Sequence, residues 1–425
     1  MTVQSIGIAV NGATSRIGYW QHMQRGLAEL VRGGGVPLTN NIHLMPKPLL
    51  VGQNADLLQA AAKALGGLAW TTELDTALSD PQIDVYFDAQ TDPESQADYG
   101  TLLASVPDDV YHSVLLEQHD TGGRLRALER ALGAGKHILS ELPATPRPED
   151  ALRLGQLARE HELVEGLIVE KLFMPGIMAL KNLIDTGYFG HILSVRSEFG
   201  FWTGSGPGAR TNWPDWKYRS EKGGGIVRGA VIHWQYLLEV LFGQIESLAC
   251  RTATHISQRA DDHGDVREVT AEDAAYITFD ISDGIVVQSN FSWASRPYRN
   301  ELTVFHVDGT LGSAVAGLRH CYTQSATETP PAIWNPDRPD PTHYRELWTE
   351  ASMSKAVPSF PAPHVYCRQW ADYLRHAATN TPYPYGIDLS ARGQQVVATA
   401  LQSADLARRL AVPPPQAVHQ ADRPS

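Results

Sequence analysis

Three short stretches of this 425-residue chain carry residue types whose spacing could do chemistry. The first is Asn11-Gly12-Ala13-Thr14-Ser15-Arg16-Ile17-Gly18, which follows the apolar run 5–10 and opens a helical pattern. A tight Gly-rich turn between a strand and a helix N-terminus offers N–H groups and a positive dipole end to a pyrophosphate. Gly12 allows the turn and Gly18 close helix–strand packing, while Thr14-Ser15 replaces the middle glycine of the usual fingerprint. Small residues at such a turn can also serve packing alone. The second stretch is residues 135–143, Gly-Lys-His-Ile-Leu-Ser-Glu-Leu-Pro. His137-Ile138-Leu139 read as a short buried strand, with Glu141, Leu142 and Pro143 where it leaves its sheet. Ligands of open α/β sheets bind outside the carboxyl ends of strands, which makes Glu141 and Pro143 candidates for a cofactor cleft.

The third stretch runs from Trp216-Lys217-Tyr218-Arg219 through the glycines 223–225 to Arg228, Gly229 and His233. An imidazole exchanges protons near physiological pH, so His233 is a candidate acid or base, with Lys171 and Tyr218 as helpers. Lys217, Arg219 and Arg228 are candidate anchors for an oxygen-rich substrate. The plainer readings are that His233 packs or caps at the start of a helix over 234–242, and that the cations form a solvated rim. Trp202, Trp213, Trp216 and Tyr218 either wall a sugar or ring, or pack in a core.

Positioning these residues takes a parallel sheet first and an antiparallel one after it. Apolar runs at 5–10, 49–51, 84–89 and 137–139 read as buried parallel strands alternating with helices. Trp20, Met23, Leu27, Leu30 and Val31 recur at helical spacing after the first. Residues 33–48, rich in Gly, Pro and Asn, read as an inserted loop or hairpin. The strand at 49–51 ends in Gly52-Gln53-Asn54, without the Asp or Glu that would hold a ribose 2′-hydroxyl. Nothing there repels a 2′-phosphate, and Arg16 could reach one, so the reading leans to NADP over NAD. Gln90 and Thr91 end the strand at 84–89 and would face the nicotinamide ribose. Residues 92–120 look like an insertion. Its His112 and His119 lie seven apart without a third ligand in step, so no metal site is expected.

In the second half, a helix over 149–161 and a strand over 163–169 lead to Glu170-Lys171. Pro175 and Gly187 bracket the next helix. Residues 192–202 alternate, with Leu193, Val195, Phe199 and Phe201 on one face and Arg196 and Glu198 on the other. Strands over 274–281 and 285–293 meet at Asp283-Gly284, a hairpin signal, and another follows at 301–308. Helices over 364–379 and 389–410 close the fold, and the Pro-rich tail 412–425 reads as disordered. The expected domains are 1–146 and 147–411.

Taken in order, residues 12–18, 135–143, 171–195, 223–233, 307–313 and Ser403-Ala404 resemble the landmarks of the Gfo/Idh/MocA family of NAD(P)-dependent oxidoreductases. Trp216-Lys217-Tyr218-Arg219 before the triple glycine resembles one branch of it. The resemblance runs from residue 6 to about 410. It implies an α/β chain: an N-terminal Rossmann dinucleotide-binding domain, then an α/β domain with a large, largely antiparallel sheet whose open face serves dimerisation. It also implies hydride transfer between nicotinamide and a hydroxyl or carbonyl carbon, most often of a sugar, cyclitol or related polyol. The family's proton-handling groups are a Lys in Glu-Lys-Pro and an Asp and a His four apart. Here the Lys position is Leu142, the Asp position Gly229, and His233 keeps its place. Three readings stay open: redox chemistry with a relay rebuilt around His233, a non-redox lyase, isomerase or cyclase on the same scaffold, or a catalytically silent nucleotide-binding subunit.

The bulk properties set the outer limits. A chain that is 43% apolar and 19% charged can build two domains with sizeable cores. A net charge of −12 disfavours nucleic acid or an anionic membrane as partner. Three cysteines, Cys250, Cys321 and Cys367, are odd in number and far apart, so no disulfide framework or thiolate metal site is expected. The start lacks a signal pattern, and no apolar run would span a bilayer. The expectation is a cytoplasmic homodimer or larger assembly acting on a small molecule.

Overall fold

The computed structural model describes residues 2–39, 41–90, 121–203, 215–260, 265–331, 337, 344–351 and 364–415. The expected insertion 92–120 with His112 and His119, together with Thr91, Trp213 and most of the tail, lies outside them. The chain divides into two compact units. One comprises Met1–Glu170, Pro361–Gln395 and Pro414–Ser425, the other Lys171–Phe360 and Val396–Pro413. This division differs from the expected 1–146 and 147–411, and hydrogen bonding explains where it falls. Strand β7 (Glu165–Leu167) pairs with β6 (His137–Ser140). The helix Val365–Thr379 is tied to both: Tyr373 donates to the Ile138 carbonyl at 2.9 Å and Gln369 Nε2 to that of Leu167 at 2.8 Å.

In the first unit a seven-stranded sheet has the order β2-β3-β1-β5-β6-β7, with β4 (Ala69–Thr71) beside β3. Its strands β1 (Thr2–Asn11), β3 (Ile42–Val51), β5 (Val85–Asp88), β6 and β7 run parallel, and only β2 (Val36–Pro37) is antiparallel. Ile8, Ala9 and Val10 are fully buried, as expected of a central strand covered on both faces. The chain leaves β1 for β3 on one side and returns to β5 on the other. That reversal places the ligand crevice at the carboxyl end of β1, the Rossmann arrangement. Residues 33–48, read as a loop or hairpin, are the β2–β3 hairpin.

The helix after β1 differs from its 3.6-residue reading. Ile17–Leu27 form π-helical turns that pass into the α-helical turns Ala28–Arg32. The wider turn buries Gln21 and His22 beside Met23 and Leu27, while Trp20 is half-buried and Val31 is 40% exposed.

The second unit is built on a nine-stranded sheet of order β17-β16-β15-β14-β8-β13-β12-β9-β18, in which β15 is Gly312–Ala316, β16 Cys321–Ser325, β17 Thr349–Glu350 and β18 Leu410–Ala411. At its centre β8 (Ile192–Gly200) runs parallel to β13 (Ile285–Ser292) and antiparallel to β14 (Thr303–Gly309). All other pairs are antiparallel, among them β12 (Ala274–Ile281) with β9 (Ile245–Ala253) and with β13. Asp283 (φ 62°) and Gly284 (φ 77°) make the β12–β13 turn in the left-handed region the hairpin signal requires. Helix Pro175–Asp185 begins at its proline, and Gly187 at φ 72° follows its end.

Two element readings need correction. The strand read to 202 stops at Gly200, and Leu193, assigned to the buried face, is 54% exposed near the start of β8. The closing helix is Asp388–Leu406, and Leu410–Ala411 become the short strand β18 beside β9. Ser403 makes that ending: its hydroxyl donates to the Arg408 carbonyl at 2.6 Å and accepts from the Cys250 N–H at 3.0 Å. All three cysteines are free and buried, and burial pushes each thiol up to about 12, so none is poised to react. Among the described residues no helix is long and apolar enough to cross a membrane.

Glu165, at the start of β7, accepts the Ile387 N–H at 2.5 Å. Burial pushes its carboxyl from 4.5 up to about 7, opposed by that hydrogen bond and reinforced by Asp388. Between pH 4.5 and 7 the folded chain keeps a proton that the unfolded chain has lost. Stability therefore falls as pH rises through this window, by on the order of 3 kcal/mol from this group. Urea unfolding across the window should show that slope in the native protein and lose it in Glu165→Gln.

Candidate active site

At the carboxyl end of β1 the loop is folded back hard on its neighbours. Gly12 and Ala13 donate their N–H groups to the Val51 carbonyl at 3.0 and 3.2 Å, which ties the loop to β3. Gly12 has φ +76°, and a Cβ there would lie 2.5 Å from the Ala89 carbonyl oxygen. A Cβ on Gly18 would lie 2.1 Å from the Gly12 carbonyl oxygen, so no side chain fits at either end of the loop. The Ser15 hydroxyl accepts from Gly18 N–H at 2.9 Å and donates to the Ala89 carbonyl at 3.1 Å. Ser15 thus braces the loop through its side chain. The first helical N–H is that of Tyr19, bonded to the Ser15 carbonyl, so those of Arg16 and Ile17 precede the helical ladder. Two glycines that admit no Cβ, beside the start of a helix, are residues that could hold a pyrophosphate. Thr14 and Arg16 are half-buried at its rim.

Beside it, Gln53 is exposed at the end of β3, while Asn54 caps the following helix by accepting from Leu57 N–H at 3.1 Å. The ends of β5 and β6 are locked by a group that sequence reasoning missed. Arg124 is completely buried and pairs through Nε with Asp88, also completely buried, at 3.1 Å. Its other nitrogens donate to the carbonyls of Gln90 at 2.9 Å, Pro143 at 2.7 Å and Glu141 at 3.4 Å. Tyr86 and Asn11 complete the knot: the phenol donates to Asp88 at 2.5 Å and accepts from Asn11 at 2.7 Å. Burial, with Asp88 next to it, holds the Tyr86 phenol well above its usual range. Gln90 and Pro143 therefore meet Arg124 through their backbones, and the Leu142–Pro143 peptide is cis. The Glu141 carboxylate is buried against His22 at 2.5 Å. The available signal was an Arg placed among small residues at a helix start, and an Asp closing an apolar strand.

In the second unit the triple glycine explains itself. Gly223 is left-handed (φ 78°). A Cβ on Gly224 would meet the Trp216 and Lys217 carbonyl oxygens at 2.4 and 2.5 Å. One on Gly225 (φ +111°) would lie 2.3 Å from the Glu272 carboxylate. Glu272 in turn accepts the Val227 N–H at 3.1 Å, and burial raises its carboxyl above the ordinary range. The segment 216–219 is thus laid directly on the entry to the next helix. Tyr218 is buried with the Arg259 guanidinium 4.6 Å over its ring, and Arg259 pairs with buried Asp273. One face of Tyr218 is therefore covered by a cation, not open to a sugar. Lys217 is buried, its ammonium 5.0 Å from the Trp216 ring centre, and the Trp216 indole N–H is buried without a hydrogen-bond partner.

His233 is buried in the first turn of an α-helix that continues from a short π-helical segment. Helical structure begins with π turns at Val227–Val231 and continues as the α-helix Ile232–Phe242. Arg228 is exposed and donates to the Gly224 carbonyl at 3.3 Å. A Cβ on Gly229 would touch only Trp293, at an ordinary 3.6 Å. Arg219 binds Asp215 through two nitrogens and the Glu268 carbonyl through a third, which makes it a brace of its own segment. Trp202 is 37% exposed and stacks under Arg296 at 3.8 Å. Lys171 is half-buried in the 3-10 turn Glu170–Phe173.

A Gly-rich strand–helix turn in one unit and an aromatic, imidazole-bearing segment in the other can be set beside known proteins. Over 412 residues the chain is 34% identical to D-xylose dehydrogenase of Paenarthrobacter nicotinovorans, spanning 96% of this chain and 97% of that one. It belongs to the Gfo/Idh/MocA family of oxidoreductases. The family's C-terminal domain model matches residues 177–315. Among solved structures, levoglucosan dehydrogenase in complex with NADH and levoglucosan has a TM-score of 0.71 at 16% identity, covering 96% of this chain and 100% of that one. An NAD-binding oxidoreductase from Klebsiella pneumoniae has a TM-score of 0.72 at 17% identity, covering 96% and 99%. These two share the Gfo/Idh/MocA fold.

The packing separates two glycines of the family motif. Gly225→Ala should cost more than about 2 kcal/mol, because the new methyl meets a buried carboxylate in a left-handed conformation. Gly229→Ala should stay within about 1 kcal/mol of the native protein. Arg124→Leu, which leaves Asp88 buried without its counter-ion, should cost about 3–5 kcal/mol. Denaturant melts of the three variants at pH 7 provide the check.

Proposed function

We propose that the chain is an NAD(P)-dependent dehydrogenase of a small sugar or related polyol. The observation that carries this reading is the end-to-end likeness to a protein named for oxidising D-xylose, together with the pyrophosphate cradle at the end of β1. The first unit is the dinucleotide holder and the second the substrate holder and oligomerisation module. Gly12, Thr14, Arg16, Ile17 and Gly18 receive the pyrophosphate, and Ser15 keeps the loop in shape. Gln53 and Asn54 lie at the end of β3, where the adenosine ribose belongs in such a fold. Neither is acidic, so a 2′-phosphate meets no repulsion and NADP is accepted along with NAD. Gln90, Glu141 and Pro143 form the nicotinamide end.

The nicotinamide, when bound, supplies the hydride acceptor. What remains for the residues of this chain is removal of the hydroxyl proton, because an alkoxide is too basic to form unaided near pH 7. His233 takes that role, and Tyr218 and Lys171 are the candidate helpers in the relay. The Trp216 indole N–H, Lys217 and Arg228 hold sugar oxygens, and Trp202 offers its ring. Leu142 and Gly229 stand where the family's other proton-handling residues belong, so His233 carries more of the work here.

The test is growth of absorbance at the reduced-nicotinamide band with NAD or NADP and a panel of aldopentoses, aldohexoses and polyols. Turnover on at least one pentose or hexose is expected. His233→Asn should lower kcat by about 10²- to 10⁴-fold with dinucleotide affinity unchanged. Absence of turnover across the panel, with no dinucleotide bound in a direct titration, would overturn the reading.

A further inference from the structure

The backbone groups of Glu141-Leu142-Pro143-Ala144 can be followed one by one. The Glu141 N–H donates to the Asp88 carbonyl at 3.2 Å, and the Ala144 N–H to the Ser390 hydroxyl at 3.1 Å. Pro143 has no N–H to give. On the acceptor side, Arg124 Nη1 donates to the carbonyls of Glu141 at 3.4 Å and Pro143 at 2.7 Å. The peptide between Pro143 and Ala144 is thus held at both ends, its oxygen by Arg124 and its N–H by Ser390. The peptide between Glu141 and Leu142 is held at its oxygen alone. Among the described residues the Leu142 N–H meets no acceptor.

That donor is out of the ordinary. Leu142 is 5% exposed, and a buried backbone N–H nearly always has a partner. The Glu141–Leu142 peptide is trans, with oxygen and hydrogen on opposite sides of one plane. Binding its oxygen to Arg124 therefore turns its N–H away from the guanidinium. The plane is not free to swing. Arg124 is also bound to Asp88 through Nε at 3.1 Å and to the Gln90 carbonyl through Nη2 at 2.9 Å. The Gln90 N–H returns to Asp88 at 3.0 Å. The Glu141 side chain is anchored as well, against His22 at 2.5 Å, and His22 accepts from the Trp370 indole at 3.1 Å. One guanidinium fixes the ends of β5 and β6 and leaves one backbone donor open there. An N–H without an acceptor in its own chain suits an oxygen brought by a ligand.

We propose that Arg124 is a positioning residue for the nicotinamide, presenting the Leu142 N–H as donor to the carboxamide oxygen of the ring. This rests on the nicotinamide-dependent reading above. Arg124 is 0% exposed, so it acts through the backbone it binds and not by touching the dinucleotide.

The experiment is a set of calorimetric titrations of the native protein and Arg124→Lys, each with a thermal melt to confirm folding. The ligands are NADH, its thionicotinamide analogue and ADP-ribose. Sulfur is a weak acceptor, so the analogue weakens one hydrogen bond and keeps the rest of the dinucleotide. ADP-ribose lacks the nicotinamide and reports the remainder of the site. Lysine keeps a cation beside Asp88 and loses the fork that reaches several carbonyls. The native protein should prefer NADH to the thio analogue by about fivefold, the scale of one neutral hydrogen bond. In Arg124→Lys the preference should vanish while the affinity for ADP-ribose stays unchanged. Equal native affinity for the two dinucleotides would overturn the proposal and leave the dehydrogenase reading standing. So would a preference that survives in Arg124→Lys, or a loss of affinity that ADP-ribose shares in full. Absence of dinucleotide binding by the native protein would overturn both. If Arg124→Lys fails to fold, the comparison of NADH with its thio analogue on the native protein decides.

Discussion

A charge under apolar cover must have its opposite beside it, and each unit organises its site around one such pair. In the first it is Arg124 with Asp88, both fully buried. In the second it is Arg259 with Asp273, 3% and 1% exposed. Neither pair is a cheap source of stability, since desolvating two ions offsets most of their attraction. What each provides is definition. Arg124 fixes three carbonyls, those of Gln90, Glu141 and Pro143, so two strand ends and a cis-proline turn keep one geometry. Arg259 covers the ring of Tyr218 and bonds Thr203, while Asp273 accepts the N–H groups of His255 and Ile256. Loops that would otherwise wander are held by a few buried donors with fixed directions.

Much of the architecture was legible in the sequence because it rests on local rules. The apolar runs that became β1, β5 and β6, the turn at Asp283-Gly284 and the Pro175 helix start all express constraints acting within a few residues. The Gly-rich loop was legible for the same reason, and the need for Gly12 and Gly18 is confirmed by what a Cβ would strike. Legibility ended where partners are far apart along the chain. Nothing near residue 124 announces that its guanidinium will meet Asp88, and nothing near residue 22 announces Trp370, 348 positions away. Side chains chosen for their types were also reassigned by their partners. Ser15, Asn54 and Arg219, chosen as candidate ligand contacts, also have partners within the chain, as a brace, a helix cap and a segment tie.

Glycine carries opposite messages in the two halves of one motif. Gly224 and Gly225 are required, since backbone oxygens and a carboxylate occupy the space a side chain would need. Gly229, only four residues on, has ordinary room for a Cβ. Its small size is not imposed by packing.

Both histidines of interest are reached through π-helical turns, His22 within Ile17–Leu27 and His233 just after Val227–Val231. Each is four residues beyond a motif glycine, Gly18 in one case and Gly229 in the other. Four residues overshoot a turn of α-helix, with its 3.6 residues, and fall short of a turn closed by i→i+5 bonds. The same spacing therefore rotates a side chain to opposite sides of its starting line according to local pitch. Motif spacing in this chain is a count of turns before it is a count of letters. A relative that lost a single residue from either segment could keep the same face with a different number.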